Sequence, residues 1–280
     1  MIKHVLRRSL QFLAFHVPVR GRHKLADKVG SLLAPGVPLV ESVNGVRIEL
    51  DHSIRFHRMM FYRMYEEHIM NYLARRIGPG MVVLDPGANQ GYFAARCLGL
   101  VRPGGHVYSF EPSRNCLERL ARHNDLDQIE AWTLLPMALT DHQGEHVFYD
   151  TPRVITKGYA CLEGVSDPVD KVAYPVRVTT VDAFAAEHGI DRIDFLKLDI
   201  EGSELPALHG AKRMLAGRAI RTIMVETNMG PGNREPAASI DRLLREAGFR
   251  SFQALRDGRT RPIDVMTRER LRDDIVWELQ

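Results

Sequence analysis

The stretch "VVLDPGANQGYF", Val82–Phe93, decides how the chain is read. Three apolar residues run into Asp85, and Gly87 and Gly91 then bracket Ala88, Asn89 and Gln90. A short apolar run closed by glycine punctuation and followed by "YFAARCLGL" predicts a strand, a tight loop and a helix. Glycines at such a loop let the backbone approach a neighbour with no Cβ in the way. In an open α/β sheet this loop lies beyond the carboxyl ends of the strands, where ligands bind.

Outward from that stretch, strands and helices alternate. The spacing predicts strands over 81–85, 106–111, 131–135, 194–200 and 220–226, with helices over 91–100, 114–123, 181–188, 203–215 and 238–247. Alternation of this kind gives right-handed crossovers and a parallel sheet covered on both faces. Short strands are expected at 145–150 and 174–180, and after Gly248 "RSFQAL" and "DDIVWELQ" read as an antiparallel closing pair at one sheet edge. The expected fold is α/β: a doubly wound, mostly parallel seven-stranded sheet over residues 79–280, behind an N-terminal extension over 1–78. Within the extension, residues 2–16 read as an amphipathic helix with Ile2, Val5, Leu6, Phe12, Leu13 and Phe15 mostly on one side. That side is expected to pack on the main domain; a basic helix of this type also suits an anionic membrane surface. "ESVNGVRIELD" predicts a hairpin turning at Asn44-Gly45. Helical spacing through Met60, Met64, His68, Tyr72 and Ile77 predicts one helix, ended by Gly78-Pro79-Gly80.

Composition narrows the function classes. A net charge of +3 is too small to make nucleic acid the main partner. The balance is uneven, since residues 1–24 hold Lys3, Arg7, Arg8, Arg20, Arg22 and Lys24 without an acid. Cys97, Cys116 and Cys161 show no CxxC spacing, which argues against a disulfide framework or a zinc site and makes a reduced, cytoplasmic compartment the expectation. Gln11, His16 and Pro18 interrupt the apolar part of "MIKHVLRRSLQFLAFHVPV" and no Ala-x-Ala follows, so a signal peptide is not expected.

The chemistry follows from three segments. In G-A-N-Q-G, Asn89 stands where a dinucleotide fingerprint needs its middle glycine, and its side chain would crowd a pyrophosphate. Asn89 and the loop amides suit a carboxylate instead, with Asp85 near an ammonium, which is the amino-acid end of S-adenosylmethionine (SAM). Glu111 ends "HVYSFE" 26 residues after Asp85, where an acid accepts from ribose hydroxyls of either nucleoside cofactor. An NAD(P)-dependent oxidoreductase is therefore the alternative enzymatic reading. In "DFLKLDIEGSE", Lys197, Asp199 and Glu201 share one side of a strand that should be apolar on both faces. Such a break marks a functional site. Asp199 and Glu201 are the candidate general bases, with Lys197 holding their geometry or binding the acceptor, and Glu204 complements a helix dipole. Asp199, Glu226 and Asn228 form a candidate ligand set for magnesium or calcium, although Glu226 reads better as a border of the acceptor pocket. "LDIEGSE" carries no aromatic residue or proline, which suits a flipped base poorly.

"LDPGANQGYF", "VYSFEPS", "ALTDHQGEHVFY", "TTVDAF", "FLKLDIEGSE" and "IMVETN" resemble, in order and spacing, the FkbM family of SAM-dependent methyltransferases over roughly residues 42–280, and "YEEH" at 65–68 resembles the element ahead of its glycine loop. The resemblance implies a class I methyltransferase acting on hydroxyls of sugars, polysaccharides, glycolipids or natural products. It places Asp85, Gly87, Asn89 and Gly91 around the methionine moiety, Glu111 at the ribose, Ala138 and Leu139 against the adenine, and Asp199 beside the sulfonium and acceptor. Pro86 departs from the family's aliphatic residue. The acceptor pocket is expected from residues 1–70 and the 150–175 and 228–238 loops, whose Arg55, Arg58, Arg63, Arg153, Lys157 and Arg234 fit an anionic or polyhydroxylated small molecule, glycan or glycolipid. A membrane-surface module with a degenerate catalytic domain is the reading from outside enzymology, carried by residues 1–24.

Overall fold

The computed structural model describes residues 2–16, 21–34, 36–127, 129–150, 172–228, 234–265 and 272–280. The chain opens with α1 (Ile2–His16) and α2 (Arg22–Leu32), the hairpin β1 (Leu39–Val43) and β2 (Val46–Leu50), then α3 (Arg55–Phe61) and α4 (Glu67–Arg76). The alternating part follows: β3 (Val82–Pro86), α5 (Tyr92–Val101), β4 (His106–Phe110), α6 (Arg114–Asp127) and β5 (Trp132–Leu135). Next come β6 (Met137–Leu139), β7 (Gly144–Asp150), β8 (Val172–Thr179), α7 (Val181–Glu187) and β9 (Ile193–Leu198). The chain continues through α8 (Glu204–His209), α9 (Lys212–Ala216), β10 (Ile220–Asn228), α10 (Arg234–Glu246), β11 (Phe249–Ala254), β12 (Thr260–Pro262) and β13 (Arg272–Leu279).

The main sheet has eight strands in the order β12-β11-β13-β10-β9-β3-β4-β5, one more than the sequence spacing predicts, because β12 adds a three-residue edge. The strands from β10 to β5 run parallel, while β13 enters antiparallel between β10 and β11. The closing pair is thus antiparallel as expected, but β13 lies inside the sheet rather than at its edge. The short strands β7 and β8 join β6 in a separate three-stranded sheet.

Alternation along each central strand divides the core between the two sheet faces. Val83 and Phe195 belong to one hydrophobic cluster with α4, α5 and the hairpin, while Leu84 and Leu196 belong to another with α7, α8 and α10. The extension shares the first of these clusters through Val46, Ile48, Leu50, Ile69 and Leu73. Its hairpin turns where expected, with Asn44 and Gly45 both left-handed at φ 49° and 82°, the geometry a two-residue turn requires. Asn44 also exchanges hydrogen bonds with Arg96 and its carbonyl, fastening the hairpin to α5.

Three expectations about helices need correction. The helix predicted through Met60–Ile77 is two helices, broken at Tyr62–Glu66, where Met64 N–H and Tyr65 N–H both turn back to the Met59 carbonyl and Arg63 and Glu66 are left-handed at φ 55° and 44°. The helix predicted over 203–215 is likewise broken between α8 and α9 at Gly210. Of the apolar side predicted for α1, Val5, Leu6, Phe12 and Leu13 do not pack on the main domain, and the side chains of Ile2 and Phe15 lie outside the described residues. Arg7 and Ala14 are buried at 6% and 4% exposure, whereas Val5, Leu6, Phe12 and Leu13 face outward at 48–61%. Polar anchors fix this orientation: Arg7 donates to the Leu33 carbonyl, Gln11 to the Phe61 carbonyl, and Arg8 to Glu41.

Candidate active site

Five neighbouring strands each contribute one polar group to a row that starts from Trp132, the first residue of β5, and runs along the carboxyl ends of the other four. Trp132 Nε1 on β5 donates to Ser109 Oγ on β4 at 3.0 Å, and Ser109 donates to Asp85 Oδ2 at the end of β3 at 3.3 Å. Lys197 Nζ on β9 lies 3.5 Å from Asp85 Oδ1 and 3.4 Å from Asp199 Oδ2, and it donates to the Gly87 carbonyl at 3.3 Å. Asp199 in turn shares a hydrogen bond with Glu226 on β10. Strand order explains the row: β4, β3, β9 and β10 are adjacent and parallel, so Ser109, Asp85, Lys197 and Glu226 near their carboxyl ends fall side by side, and Trp132 reaches Ser109 from the start of β5.

The row opens into a bowl of carboxyls. Burial raises Glu226, and the neighbouring Asp199 charge with their shared hydrogen bond carries it to about 9, so Glu226 holds a proton. Burial would also raise Asp199, but the Lys197 ammonium and the Glu226 hydrogen bond outweigh it and hold Asp199 below its ordinary value. Burial and the Asp199 charge push Glu201 up to about 7. Glu66, from the break between α3 and α4, is pushed up to about 7 by burial and by Asp199, while its hydrogen bond with Tyr65 and the nearness of Lys197 pull the other way. Burial alone would lower Lys197; Asp199, Asp85 and Glu66 hold its ammonium charged. Asp274 on β13 pairs opposite Glu226 and adds to the field that raises it.

Asp199, Glu201 and Glu226 bring oxygen atoms within 4.8 Å of one another, so Glu201 joins Asp199 and Glu226 as a candidate oxygen ligand, while the Asn228 side chain lies outside the described residues. Glu204 opens α8 as expected and also folds back, accepting from the Ile200 and Gly202 N–H groups and holding the 200–202 turn shut.

The glycine loop is built against this row. Gly87 is left-handed at φ 75°, and a Cβ there would collide with the Asp199 carbonyl oxygen. The missing N–H of Pro86 costs the ladder little, since Gly87 and Ala88 both donate to the Phe110 carbonyl. Asn89 is left-handed at φ 48°; its N–H donates to Glu111 Oε2 at 2.7 Å, and its Oδ1 accepts from Gln90 Nε2 at 3.0 Å. Glu111 Oε1 accepts from the Ser113 N–H at 2.9 Å. Burial nevertheless pushes the Glu111 carboxyl up to about 7, against these two N–H donors.

Gln90 joins the loop to the extension. His57 Nδ1 accepts from the Asp51 N–H at 2.8 Å, which leaves Nε2 protonated to donate to Gln90 Oε1 at 3.1 Å. Arg119 donates to the same Gln90 oxygen. Burial and the Arg119 charge keep His57 below its ordinary value, in the neutral form this relay requires. The folded pKa is depressed, so the contribution of His57 is complete above the ordinary imidazole value of about 6.5 and is lost as the pH falls through the folded value. His57→Ala is expected to weaken nucleoside binding about 2- to 10-fold, the range for one buried hydrogen bond. Titration calorimetry with S-adenosylhomocysteine (SAH) checks this, and an unchanged affinity removes the relay from the site.

The other residues marked in the sequence distribute as follows. Lys197 lies 3.4 Å from Asp199, and Glu201 brings an oxygen within 4.8 Å of Asp199. Asp85 lies at 0% exposure beneath Lys197. Leu139 is packed with Leu84 and Phe110, and Ala138 with Phe148, Val176 and Val178. Arg55 and Arg58 bind Asp27 on α2, and Arg58 also donates to the His52 and Ser53 carbonyls, so both are accounted for structurally. Arg63 is exposed at the helix break. Residues 151–171, with Arg153, Lys157 and Cys161, and residues 229–233 lie outside the described residues, as do the side chains of Asn228 and Arg234. Sequence reasoning gave no role to Glu66 or Asp274, although Glu66 lies in the "YEEH" element at 65–68 that carries part of the family resemblance.

A family model described as the methyltransferase FkbM domain matches residues 85–251. The 2-O-methyltransferase NoeI of Sinorhizobium fredii (strain NBRC 101917 / NGR234) is 26% identical over 199 residues, covering 67% of this chain and 75% of its own. The AMB antimetabolite synthetase AmbE of Pseudomonas aeruginosa is 25% identical over 223 residues, which cover 66% of this chain and 10% of that protein. The solved structure of methyltransferase FkbM from Methylobacillus flagellatus KT aligns with a TM-score of 0.47 at 14% identity, over 92% of this chain and 59% of that one. Matched by that model over more than half of its length, the chain belongs to the FkbM methyltransferase family.

Proposed function

We propose that the protein is a SAM-dependent O-methyltransferase whose acceptor is a hydroxyl of a sugar, polysaccharide, glycolipid or natural product. The observation that carries this is the charge of the site. Among the described residues, Asp85, Glu66, Asp199, Glu201 and Glu226 gather about a single cation, Lys197. Carboxyls raised to about 7 and about 9 by burial and by the Asp199 charge are relieved by a cationic ligand. A pyrophosphate would meet the opposite field, which disfavours the NAD(P) reading. The similarity to a protein named a 2-O-methyltransferase supports oxygen as the nucleophile.

In this reading SAM supplies a methyl group on a positively charged sulfur. The loop from Gly87 to Gly91 holds its amino-acid end, and Glu111 offers its remaining lone pairs to the ribose. Ala138 and Leu139 flank the adenine. Holding the acceptor oxygen in line with the methyl carbon supplies about 7–11 kcal/mol of the barrier reduction. Asp199, kept ionised by Lys197, stabilises the positive charge, and Glu201, close to neutrality in pKa, accepts the hydroxyl proton.

Because Glu66 and Glu201 are raised to about 7, they become fully ionised only above it. SAM affinity is therefore expected to rise as the pH passes from about 6 to about 8, whereas SAH, uncharged at sulfur, changes less. Calorimetric titration of the protein with SAM, SAH and NAD across that range tests the reading. Binding of NAD in place of SAM, or no binding of either SAM or SAH, overturns it.

A further inference from the structure

The outward faces of α1 and α2 have no part in methyl transfer. Val5, Leu6, Phe12 and Leu13 recur at i, i+1, i+7 and i+8, one stripe of a helix, and are exposed at 57%, 48%, 61% and 52%. On α2, Leu25 and Leu32 are exposed at 61% and 74%, and the exposed Lys24 and Lys28 share their face by the same spacing. Eight of the ten large hydrophobic side chains exposed among the described residues fall between Val5 and Val40. A concentration of this kind marks an interaction surface.

Charge selects the occupant. Residues 1–40 hold Lys3, Arg7, Arg8, Arg20, Arg22, Lys24 and Lys28 against Asp27 alone; Arg7 is buried, Arg8 and Arg22 pair with Glu41 and Glu67, and Lys24 and Lys28 stand exposed beside the leucines. Leucines flanked by lysines fit a headgroup layer, where the alkyl stems lie along the acyl boundary and the ammonium groups meet phosphate. No helix among the described residues is long and apolar enough to cross a membrane, so the arrangement suits lying on a bilayer and not spanning it.

We propose that α1 and α2 form a docking surface for an anionic lipid bilayer. The surface is joined to the active site, because Arg22 on α2 binds Glu67 at 2.8 Å, next to Glu66 in the carboxyl bowl. Docking therefore holds the bowl one ion pair away from the docked helix.

The test is co-sedimentation of the full chain with phosphatidylcholine vesicles, with and without phosphatidylglycerol. Binding is expected only with phosphatidylglycerol, weakening about tenfold or more in Phe12→Glu/Leu13→Glu and falling as salt shortens the Debye length below about 8 Å. The melting temperature shows whether that variant keeps its fold; if it does not, Lys24→Gln/Lys28→Gln decides, and it is expected to lose the preference for phosphatidylglycerol. No binding to phosphatidylglycerol vesicles overturns the proposal. So does binding that the charge variants leave unchanged, or light scattering that shows the same face closing a dimer.

Discussion

Asp199→Asn is expected to lower kcat by about 10²–10³, the effect of removing a fixed charge aimed at the reacting centre. The substitution keeps the volume of the side chain and deletes the charge between Lys197 and Glu226. SAH affinity is expected to stay within about threefold, since that ligand brings no sulfonium charge to the bowl, and calorimetry on the same preparation measures it. Glu201→Gln separates the two carboxylates. Loss of a general base costs about 10²–10⁴ in rate, and the acid limb of the pH–rate profile near 7 is expected to vanish with Glu201. A profile that keeps this limb in Glu201→Gln moves the base elsewhere, to Glu66 first. Unchanged turnover in both variants refutes the catalytic assignment.

Lys197→Met is expected to have the largest effect on stability. The ammonium is the cation that Asp85 and Asp199 share, and Asp85 has no exposed surface through which water could replace it. Removing one partner of a buried pair costs about 3–5 kcal/mol, because the remaining charge is left uncompensated. For a chain of this size that corresponds to a fall in melting temperature of about 10 °C. Deleting both charges, in Asp85→Asn/Lys197→Met, is expected to recover part of the loss, since a buried pair replaced as a unit is often close to neutral. If the single variant melts within about 2 °C of the parent, Lys197 does not hold the row together.

The row was legible in the sequence because it breaks a rule. Lys197, Asp199 and Glu201 alternate along a strand whose other residues are apolar, and Asp85 and Glu111 end apolar runs abruptly. The glycine loop was legible for the same reason. What escaped depended on tertiary contacts. Met60, Met64, Tyr72 and Ile77 keep a helical period straight through the break at Tyr62–Glu66. The chain leaves the helix there because Tyr65 packs on Phe56 and Tyr92, with ring centroids 4.4 and 5.9 Å away, and carries Glu66 toward Lys197. Asp274 reaches Glu226 only through the insertion of β13 beside β10, a pairing with no local signature. Periodicity likewise reported that α1 has an apolar side, and it cannot report whether that side meets a core or solvent.

The break between α3 and α4 also makes the N-terminal extension part of the bowl. Tyr65 and Glu66 come from ahead of the segment that defines the family, residues 85–251, yet they form one wall of the bowl. A change ahead of residue 85 is therefore expected to reach the charge of the bowl itself, through Glu66 and its field on Lys197. A chimera that exchanges residues 1–78 between relatives is expected to disturb both methyl-donor affinity and turnover, because the bowl is assembled from both parts of the chain.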